Sequence, residues 1–147
     1  MMGSNNSHKT AIRRNKISRP TQTLIDNNVI KGNVLDYGCG HGYDAETMGF
    51  DKYDPFFFPN GLDKNKKYDT IVCNYVLNVL NCEQEKQVIE DIRKLLKKGG
   101  CAYLSVRRDK FKEGISNKGT YQRSSYPDLD TYFKKSGGFE IYILIKN

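Results

Sequence analysis

The stretch VLDYGCGHG, residues 34–42, constrains the fold of this chain more than any other part of its sequence. An apolar run of strand length ends in Asp36, and glycines follow at positions 38, 40 and 42. Because glycine gives up the most backbone freedom on folding, this spacing indicates positive φ angles or a backbone that a ligand approaches closely. A strand that enters such a turn is typical of open α/β sheets, whose ligands bind beyond the carboxyl ends of the strands. A tight turn without a ligand is the alternative interpretation.

Hydrophobic patterns elsewhere predict strands that alternate with helices. Further strands are predicted in the runs MGFDKYDP, YDTIVC, CAYLSV and FEIYILI. Helices are predicted in EQEKQVIEDIRKLLKKGG, whose apolar residues recur at helical spacing before a Gly-Gly stop, and in DLDTYFKKSGG, where Leu129 and Phe133 are one turn apart. This order predicts a single α/β domain over residues 1–147, with a Rossmann-like, mostly parallel sheet and helices on both faces.

The residues around the glycines indicate the chemistry of the ligand. Dinucleotide-binding folds use G-x-G-x-x-G, but Tyr43 stands where the third glycine would be, and no Gly-Lys-Ser/Thr of a P-loop follows. Asp36, just inside the turn, would repel a pyrophosphate. The turn therefore favours a ligand that carries a cationic group.

The stretch VLDYGCGHG resembles the first motif of class I S-adenosylmethionine-dependent methyltransferases, hydrophobic-hydrophobic-Asp-x-Gly-x-Gly-x-Gly. Three further pieces resemble that family in the same order, namely FDKYDP at the second strand, YDTIVCNYVLNVL at the fourth-strand motif and LLKKGGCAYLSV at the turn into the fifth. The resemblance covers residues 34–106. It implies S-adenosylmethionine as the cofactor, which carries an amino group and a sulfonium but no phosphate.

The same resemblance implies which residues form the cofactor site. Asp54 takes the place of the family's acid that holds both ribose hydroxyls, and Asn74-Tyr75 lie where the family contacts the methionine part. The implied cofactor-binding residues are Asp36, Gly38, Cys39, Gly40, Asp54, Pro55, Asn74 and Tyr75.

A longer pattern carries a narrower resemblance. TAIRRNKISRPTQTLI, followed by LDYGCGHGYD, YDPFFFP and NYVLNVL, resembles the methyltransferases associated with bacterial DNA phosphorothioation systems. That name records an association and implies no particular substrate.

Short connections predict a reduced version of the family's fold. Sixteen residues separate Gly38 from Asp54, so the first helix is predicted to be about one turn shorter than usual. Only PFFFPNGLDKNKK lies between Asp54 and the next strand, which leaves no room for the family's third strand and its helix. The chain ends at FEIYILIKN, so the final antiparallel strand is also predicted to be missing. Pro55 and Phe56 flank the adenine in one interpretation, and the phenylalanines pack in the core in the other.

Basic residues are concentrated in two segments. Residues 1–19 hold five basic residues and no acid, and residues 107–123 hold six basic residues and two acids, in a chain whose net charge is +7. In the family that the sequence resembles, these regions cover the site, so we expect a basic arm (1–19) and a basic loop (107–127) there. Such a mouth suits a nucleic acid or another polyanion, whereas an ordinary solvated surface is the alternative. The predicted substrate residues are Arg107, Arg108 and Tyr121, and one of Arg13, Arg14 or Arg19 could bind the methionine carboxylate.

The resemblance implies methyl transfer, but the sequence identifies no catalytic residue. The sulfonium is already activated, so an enzyme mainly positions the acceptor, which can supply roughly 7–11 kcal/mol of the barrier. NYVL stands where base amino-methyltransferases carry Asp/Asn/Ser-Pro-Pro-aromatic, which argues against N6-adenine and N4-cytosine as targets. His41 is either a base or an incidental loop residue. The alternatives are a cofactor-binding regulatory or partner subunit without activity, and a methyltransferase of small molecules.

Cysteine spacing and apolar runs bear on the compartment. Cys39, Cys73, Cys82 and Cys101 form no CxxC pair and no zinc spacing, which predicts reduced cysteines and no metal site. No apolar run approaches the roughly 18–20 residues of a membrane span, and MMGSNNSHKT lacks the apolar core of a signal peptide. We therefore expect a cytoplasmic protein that does not enter a membrane.

Overall fold

Eight β-strands and three α-helices make up the part of the chain that the computed structural model describes, which is residues 7–63, 65–117 and 119–147. The strands are β1 (Val34–Tyr37), β2 (Asp51–Tyr53), β3 (Tyr68–Asn74), β4 (Leu96–Arg107), β5 (Gly114–Ile115), β6 (Tyr121–Gln122), β7 (Asp130–Lys135) and β8 (Phe139–Ile145). The helices are α1 (Arg19–Asp26), α2 (Tyr43–Met48) and α3 (Cys82–Leu95), with 3-10 turns at Ser7–Thr10 and Leu77–Val79. Residues 1–6 and Lys118, which belong to the two predicted basic segments, lie outside the described residues.

Six strands form one sheet in the order β2-β1-β3-β4-β8-β7. The first four run parallel, whereas β8 is antiparallel to both β4 and β7. Successive residues of β3 face opposite sides of this sheet. Ile71 belongs to the apolar cluster that holds Ile92 of α3, and Val72 belongs to the cluster that holds Leu24 of α1. The sheet is therefore mostly parallel with helices on both faces, as the sequence predicts.

Helix α1 is absent from the sequence-based expectations, although its start carries two standard signals. Ser18 stands at the N-cap and Pro20 in the first turn. Backbone N–H groups there have no acceptor within the helix, so the missing N–H of proline costs no hydrogen bond. Leu24 is fully buried against Phe139 and Ile141 of β8. One buried leucine in eight residues is too weak an apolar pattern to predict a helix by periodicity.

Helix α3 begins at a capping box, in which Asn81 and Gln84 exchange side-chain-to-backbone hydrogen bonds. It ends at Leu95, earlier than the Lys97-Lys98 turn that the sequence predicts, because Leu96 already belongs to β4. None of the described helices, α3 included, is long and apolar enough to cross a membrane.

Residues 130–135 form a strand where the sequence pattern predicts a helix, so that prediction is wrong. Thr131, Tyr132 and Phe133 are β-branched or aromatic and favour a strand. Leu129 packs against the cluster on the α3 side, whereas Phe133 packs against the cluster on the α1 side, so their spacing does not reflect one helical face. A register shift between Thr131 and Phe133 lets Tyr132 and Phe133 pack on the same side.

The prediction that the final antiparallel strand is missing is also wrong. β8 pairs with β4 in antiparallel register from Cys101–Ile145 to Arg107–Phe139. The chain reverses after β7 at Gly137, whose φ of 70° lies in the left-handed region that glycine favours, and β8 then returns between β4 and β7.

The other predicted reductions are present. Helix α2 has six residues and is followed by Gly49 at a φ of 75°. Between β2 and β3, residues 54–63 and 65–67 contain no helix or strand, and their backbone forms turns with one bridge from Asp54 to Phe58. The third strand of the family and its helix therefore have no counterpart in these residues.

Candidate cofactor and acceptor site

A cleft of about 530 Å³ lies at the carboxyl edge of the parallel strands, where open α/β sheets bind ligands. Residues at the ends of β1, β2, β3 and β4 line it, together with residues of segment 7–19 and the turn between β7 and β8. All eight predicted cofactor-binding residues line this cleft: Asp36, Gly38, Cys39, Gly40, Asp54, Pro55, Asn74 and Tyr75.

The glycine turn after β1 has positive φ angles of 77° at Gly38, 59° at Gly40 and 87° at Gly42. A Cβ atom on Gly38 would lie 2.4 Å from Cγ2 of Val76, and one on Gly40 would lie 3.3 Å from Cβ of Ala11. The protein's own packing therefore already requires glycine at position 38, in agreement with the tight-turn interpretation. At Gly40 the backbone is closely approached as the sequence predicts, and the approaching atom belongs to Ala11 of segment 7–19.

Asp54 holds the glycine turn to the end of β2. One carboxylate oxygen accepts a hydrogen bond from the Gly40 N–H at 3.0 Å, and the other accepts from the N–H groups of Phe56 and Phe57, each at 3.0 Å. The residue is 8% exposed. Because an ionised carboxylate has about four acceptor positions, Asp54 keeps capacity for a ligand hydroxyl after these three bonds. Its role toward ribose stays a prediction.

Asp36 is a buried carboxyl group at the floor of the glycine turn. Burial raises its pKa to about 8, the charges of Asp44 and Asp54 add to the increase, and Arg14 acts in the opposite direction. The Asp36 carboxyl is therefore mostly protonated at neutral pH, and a cationic ligand group nearby would favour its ionised form. Burial also raises the pKa of Cys39 far above its usual range, which keeps that thiol protonated and unsuited to nucleophilic attack.

Asn74 lines the cleft and also links three parts of the fold through hydrogen bonds. Its amino group donates to the hydroxyls of Thr21, at 2.7 Å, and Ser18, at 3.3 Å, and its carbonyl oxygen accepts from Ser105 at 2.9 Å. Asn74 therefore anchors the start of α1 at the end of β3, a role that the sequence did not predict. The next residue, Tyr75, has a φ of 59°, a strained conformation for an aromatic residue that is typical of functional sites.

Asp44 is a cleft residue that the sequence interpretation missed. It stands in the first turn of α2, is 6% exposed, and accepts hydrogen bonds from the backbone N–H and the hydroxyl of Ser18. These bonds fix segment 7–19 across the cleft. Of the three candidate arginines in the basic arm, Arg14 and Arg19 line the cleft and Arg13 does not.

Aromatic rings cover one part of the cleft. Phe56 lines it, is 52% exposed, and stacks on His8 with ring centroids 3.8 Å apart and planes 5° apart. Phe56 is therefore no core residue, and its predicted place beside the adenine stays a prediction. The candidate base His41 also lines the cleft and contacts Phe57, with centroids 4.3 Å apart.

The three predicted substrate residues fall in different environments. Arg107 lines the cleft and forms a bidentate pair with Asp109. Arg108 and Tyr121 do not line it. Arg108 points inward because Glu140 binds it at 2.9 Å and the Tyr142 hydroxyl at 2.7 Å, so its predicted contact with substrate is not supported.

The mostly parallel sheet with helices on both faces is a Rossmann-like methyltransferase fold. A protein-family model described as "Methyltransferase domain" matches residues 10–137. The chain therefore belongs to the methyltransferase-domain family, in agreement with the resemblance seen in the sequence. No curated protein matches the chain.

Two solved structures share the fold over nearly the whole chain. The CcbJ methyltransferase from Streptomyces caelestis has a TM-score of 0.59 and 12% identity, and the match covers 97% of this chain and 95% of that chain. A SAM-dependent methyltransferase from Thermotoga maritima, described as a possible histamine N-methyltransferase, has a TM-score of 0.59 and 14% identity, over 96% and 92% of the two chains. At such identities the likeness shows the fold alone. The chain spans only 20% of PKMT2 from Rickettsia typhi, at 20% identity, 50% coverage of this chain and a TM-score of 0.38.

Proposed function

We propose that this protein is an S-adenosylmethionine-dependent methyltransferase. S-adenosylmethionine is the cofactor of the family to which the chain belongs. The observation that carries the proposal is the convergence of three buried carboxyl groups, Asp36, Asp44 and Asp54, on one cleft at the carboxyl edge of the sheet. A ligand with an ammonium, a sulfonium and two ribose hydroxyls is favoured by such a cleft, because carboxylates attract cations and accept hydrogen bonds.

The residues present fit this cofactor. Asp54 keeps acceptor capacity for one ribose hydroxyl, and Asp36 would be ionised by a neighbouring ammonium group. Arg14, which lines the cleft and interacts electrostatically with Asp36, supplies a cation for the methionine carboxylate. The stacked rings of Phe56 and His8, which both line the cleft, provide an aromatic wall for the adenine. When bound, the cofactor supplies an activated methyl group, and the work of these residues is to orient it and to exclude water.

The form of the bound cofactor tests the proposal. Protein purified from cells and heated should release S-adenosylhomocysteine, because turnover leaves the demethylated product in the cleft, and mass spectrometry identifies it. Release of S-adenosylmethionine alone would favour the cofactor-binding subunit without activity. Release of neither compound, with no calorimetric binding of either, would contradict the proposal.

For the acceptor we propose contact with a nucleic acid, through fewer cations than the sequence predicts. Within residues 107–117 and 119–123, all three arginines are paired with carboxylates. Lys110 and Lys112 are exposed and form no ion pair with any described residue, and the same holds for Arg13 and Lys16 of the arm. These four exposed cations support a contact with phosphate groups. The name of the Thermotoga protein supports a small amine instead.

Salt dependence separates these two acceptors. Single-stranded DNA should bind at low salt, and the double variant Lys110→Glu, Lys112→Glu should flatten the plot of log K against log salt by roughly 1.4, since each lost contact removes about 0.7. Lys86→Glu with Lys98→Glu changes the net charge equally on exposed sites outside the cleft, and its slope should stay near that of the wild type. Equal losses in both variants, or no binding at low salt, would exclude the nucleic-acid contact and leave the small molecule.

A further inference from the structure

The cleft contains a second pair of polar residues, which the cofactor contacts leave unused. Asn78 stands in the 3-10 turn after β3, Gln122 stands in β6, and both line the cleft. The Asn78 amino group donates to the Gln122 side-chain carbonyl at 2.8 Å. This single hydrogen bond leaves one function of each amide unused, the carbonyl oxygen of Asn78 and the amino group of Gln122.

The unused oxygen is the informative atom. Asn78 is 1% exposed, and its Oδ1 is buried and accepts no hydrogen bond from the described residues. The amino group of Gln122 likewise donates no hydrogen bond to them. A buried acceptor without a donor destabilises a fold, and native proteins keep such atoms mainly where a ligand or an ordered water completes them.

The position of the pair is built into the fold. The backbone N–H of Arg123 donates to the backbone carbonyl of Asn78 at 2.8 Å, which joins the end of β6 directly to the turn after β3. The Arg123 guanidinium is held in turn by Glu85 of α3 at 2.7 Å, and both side chains are mostly buried. The buried ion pair between Arg123 and Glu85 therefore fixes the backbone next to Gln122 and holds Gln122 beside Asn78.

The charge around the pair is balanced. Arg107 and Arg123 each have a carboxylate partner, Asp109 and Glu85 respectively. A phosphate or carboxylate group on the ligand would find no unpaired cation among these residues, and it has no hydrogen to donate to Asn78 Oδ1. The complementary ligand group is neutral, with an N–H donor for Asn78 and a carbonyl acceptor for Gln122.

We infer that Asn78 and Gln122 bind the methyl acceptor, and that the acceptor presents a cis-amide edge, an N–H beside a carbonyl, as lactams and several nucleobases do. The inference rests on the proposed function, since the pair lines the cleft assigned to the cofactor. The amide pair recognises the acceptor, and a phosphate-contacting surface at Lys110 and Lys112 would be separate from it.

Uracil, which carries this edge, and 1,3-dimethyluracil, which has the same ring without an N–H donor, are the matched probes. Each is titrated into the wild-type protein saturated with S-adenosylhomocysteine, and the side-chain amide signals of Asn78 and Gln122 are followed by NMR. Uracil should shift both signals saturably, with at least tenfold tighter binding than dimethyluracil. Equal binding of the two probes, or no saturable shift by uracil, would overturn the inference.

The variant Asn78→Leu separates recognition from a structural role. It removes the unpaired acceptor together with the hydrogen bond to Gln122, with little change of volume, so the two effects on stability oppose each other and the melting temperature should change little. Uracil binding should weaken at least tenfold, whereas S-adenosylhomocysteine affinity should not change. Gln87→Leu, an exposed amide on α3, is the control and should leave uracil binding unaltered. If Asn78→Leu binds uracil as tightly as the wild type does, the inference is overturned. If the wild-type protein does not bind S-adenosylhomocysteine, the proposed function is overturned instead.

A final titration distinguishes the two sources of the edge. Tighter, salt-dependent binding of single-stranded oligodeoxyuridine than of uracil, at the same two amide signals, supports a base within nucleic acid. Equal affinity of both supports a small lactam-like acceptor. Both results support the inference, whereas shifts that oligodeoxyuridine causes only outside Asn78 and Gln122 would oppose it.

Discussion

Replacement of Asp54 by alanine should weaken S-adenosylmethionine binding roughly ten- to a hundredfold, since the loss of hydrogen bonds to a charged acceptor costs about 1.5–3 kcal/mol. The effect has two sources. The variant removes the proposed acceptor of a ribose hydroxyl, and it frees the N–H groups of Gly40, Phe56 and Phe57 that shape the adjacent turns. Isothermal titration calorimetry measures the affinity, and circular dichroism reports whether the fold persists.

Asp51→Ala is the matched control, because Asp51 begins the strand that Asp54 follows. The Asp51 carboxylate contacts Lys66 and the Tyr68 hydroxyl, and it does not line the cleft. Its loss should leave the affinity within about twofold of the wild type, as expected of a partly exposed ion pair. Wild-type affinity in Asp54→Ala would remove Asp54 from the site and would leave it a purely structural residue.

Replacement of Glu140 by alanine should lower the free energy of unfolding by about 3–5 kcal/mol, because it leaves the charge of Arg108 buried without its partner. The two side chains are 7% and 8% exposed and 2.9 Å apart. Urea unfolding at pH 7 measures the loss. The control is Asp109→Ala, which breaks the more exposed pair with Arg107 and should cost at most about 1 kcal/mol.

The Glu140 pair also predicts a direction of pH dependence. Burial by itself would raise the pKa of Glu140, but hydrogen bonds from Thr131 and Arg108 outweigh it, and the pKa lies below its ordinary value of 4.5. An acid whose pKa is lowered by folding stabilises the protein above its unfolded pKa, and this contribution disappears as the pH falls through the folded pKa. The stability difference between wild type and Glu140→Ala should therefore shrink below pH 4.5. A constant difference down to pH 3 would show that the ion pair does not cause it.

Local patterns predicted the parts of the fold that short stretches determine. The glycine turn after β1, the stop of β2 before Pro55 and the buried strands β3 and β4 depend on neighbouring residues, and each is present as predicted. The errors arose where tertiary contacts decide. Thr131 to Phe133 become a strand because β8 offers an open partner, and Leu24 stabilises α1 because β8 supplies Phe139 and Ile141. The partners of Leu24 lie too far along the chain to be inferred from spacing, whereas β8 follows β7 directly and the helical spacing of Leu129 and Phe133 concealed this pairing.

The site shows the same division. The eight residues implied by the family motifs converge on one cleft, because those motifs sit at the ends of adjacent parallel strands. Whether a side chain faces the cleft is not encoded in the motif. Arg108 follows Arg107 directly, yet its side chain points inward because Glu140, which lies far along the sequence on the neighbouring strand β8, binds it. Asp44 and Asn78 lie within the stretches LDYGCGHGYD and YDTIVCNYVLNVL, but the motifs assign no role to them, and their importance becomes visible only from a hydrogen bond and from an unpaired oxygen.

The position of β8 has a consequence for the order in which this sheet can assemble. β7 is synthesised before β8, yet β8 is the only strand with which β7 pairs among the described residues. Until β8 emerges, the newly made β7 has no partner and β4 keeps an open edge, a state in which unpaired strands of different chains can join. Lys134 and Lys135 lie exposed at the end of β7, where charged side chains hinder such pairing. The exposed lysines of β7, the strand that the sequence pattern predicted as a helix, therefore hinder pairing with other chains until β8 is synthesised.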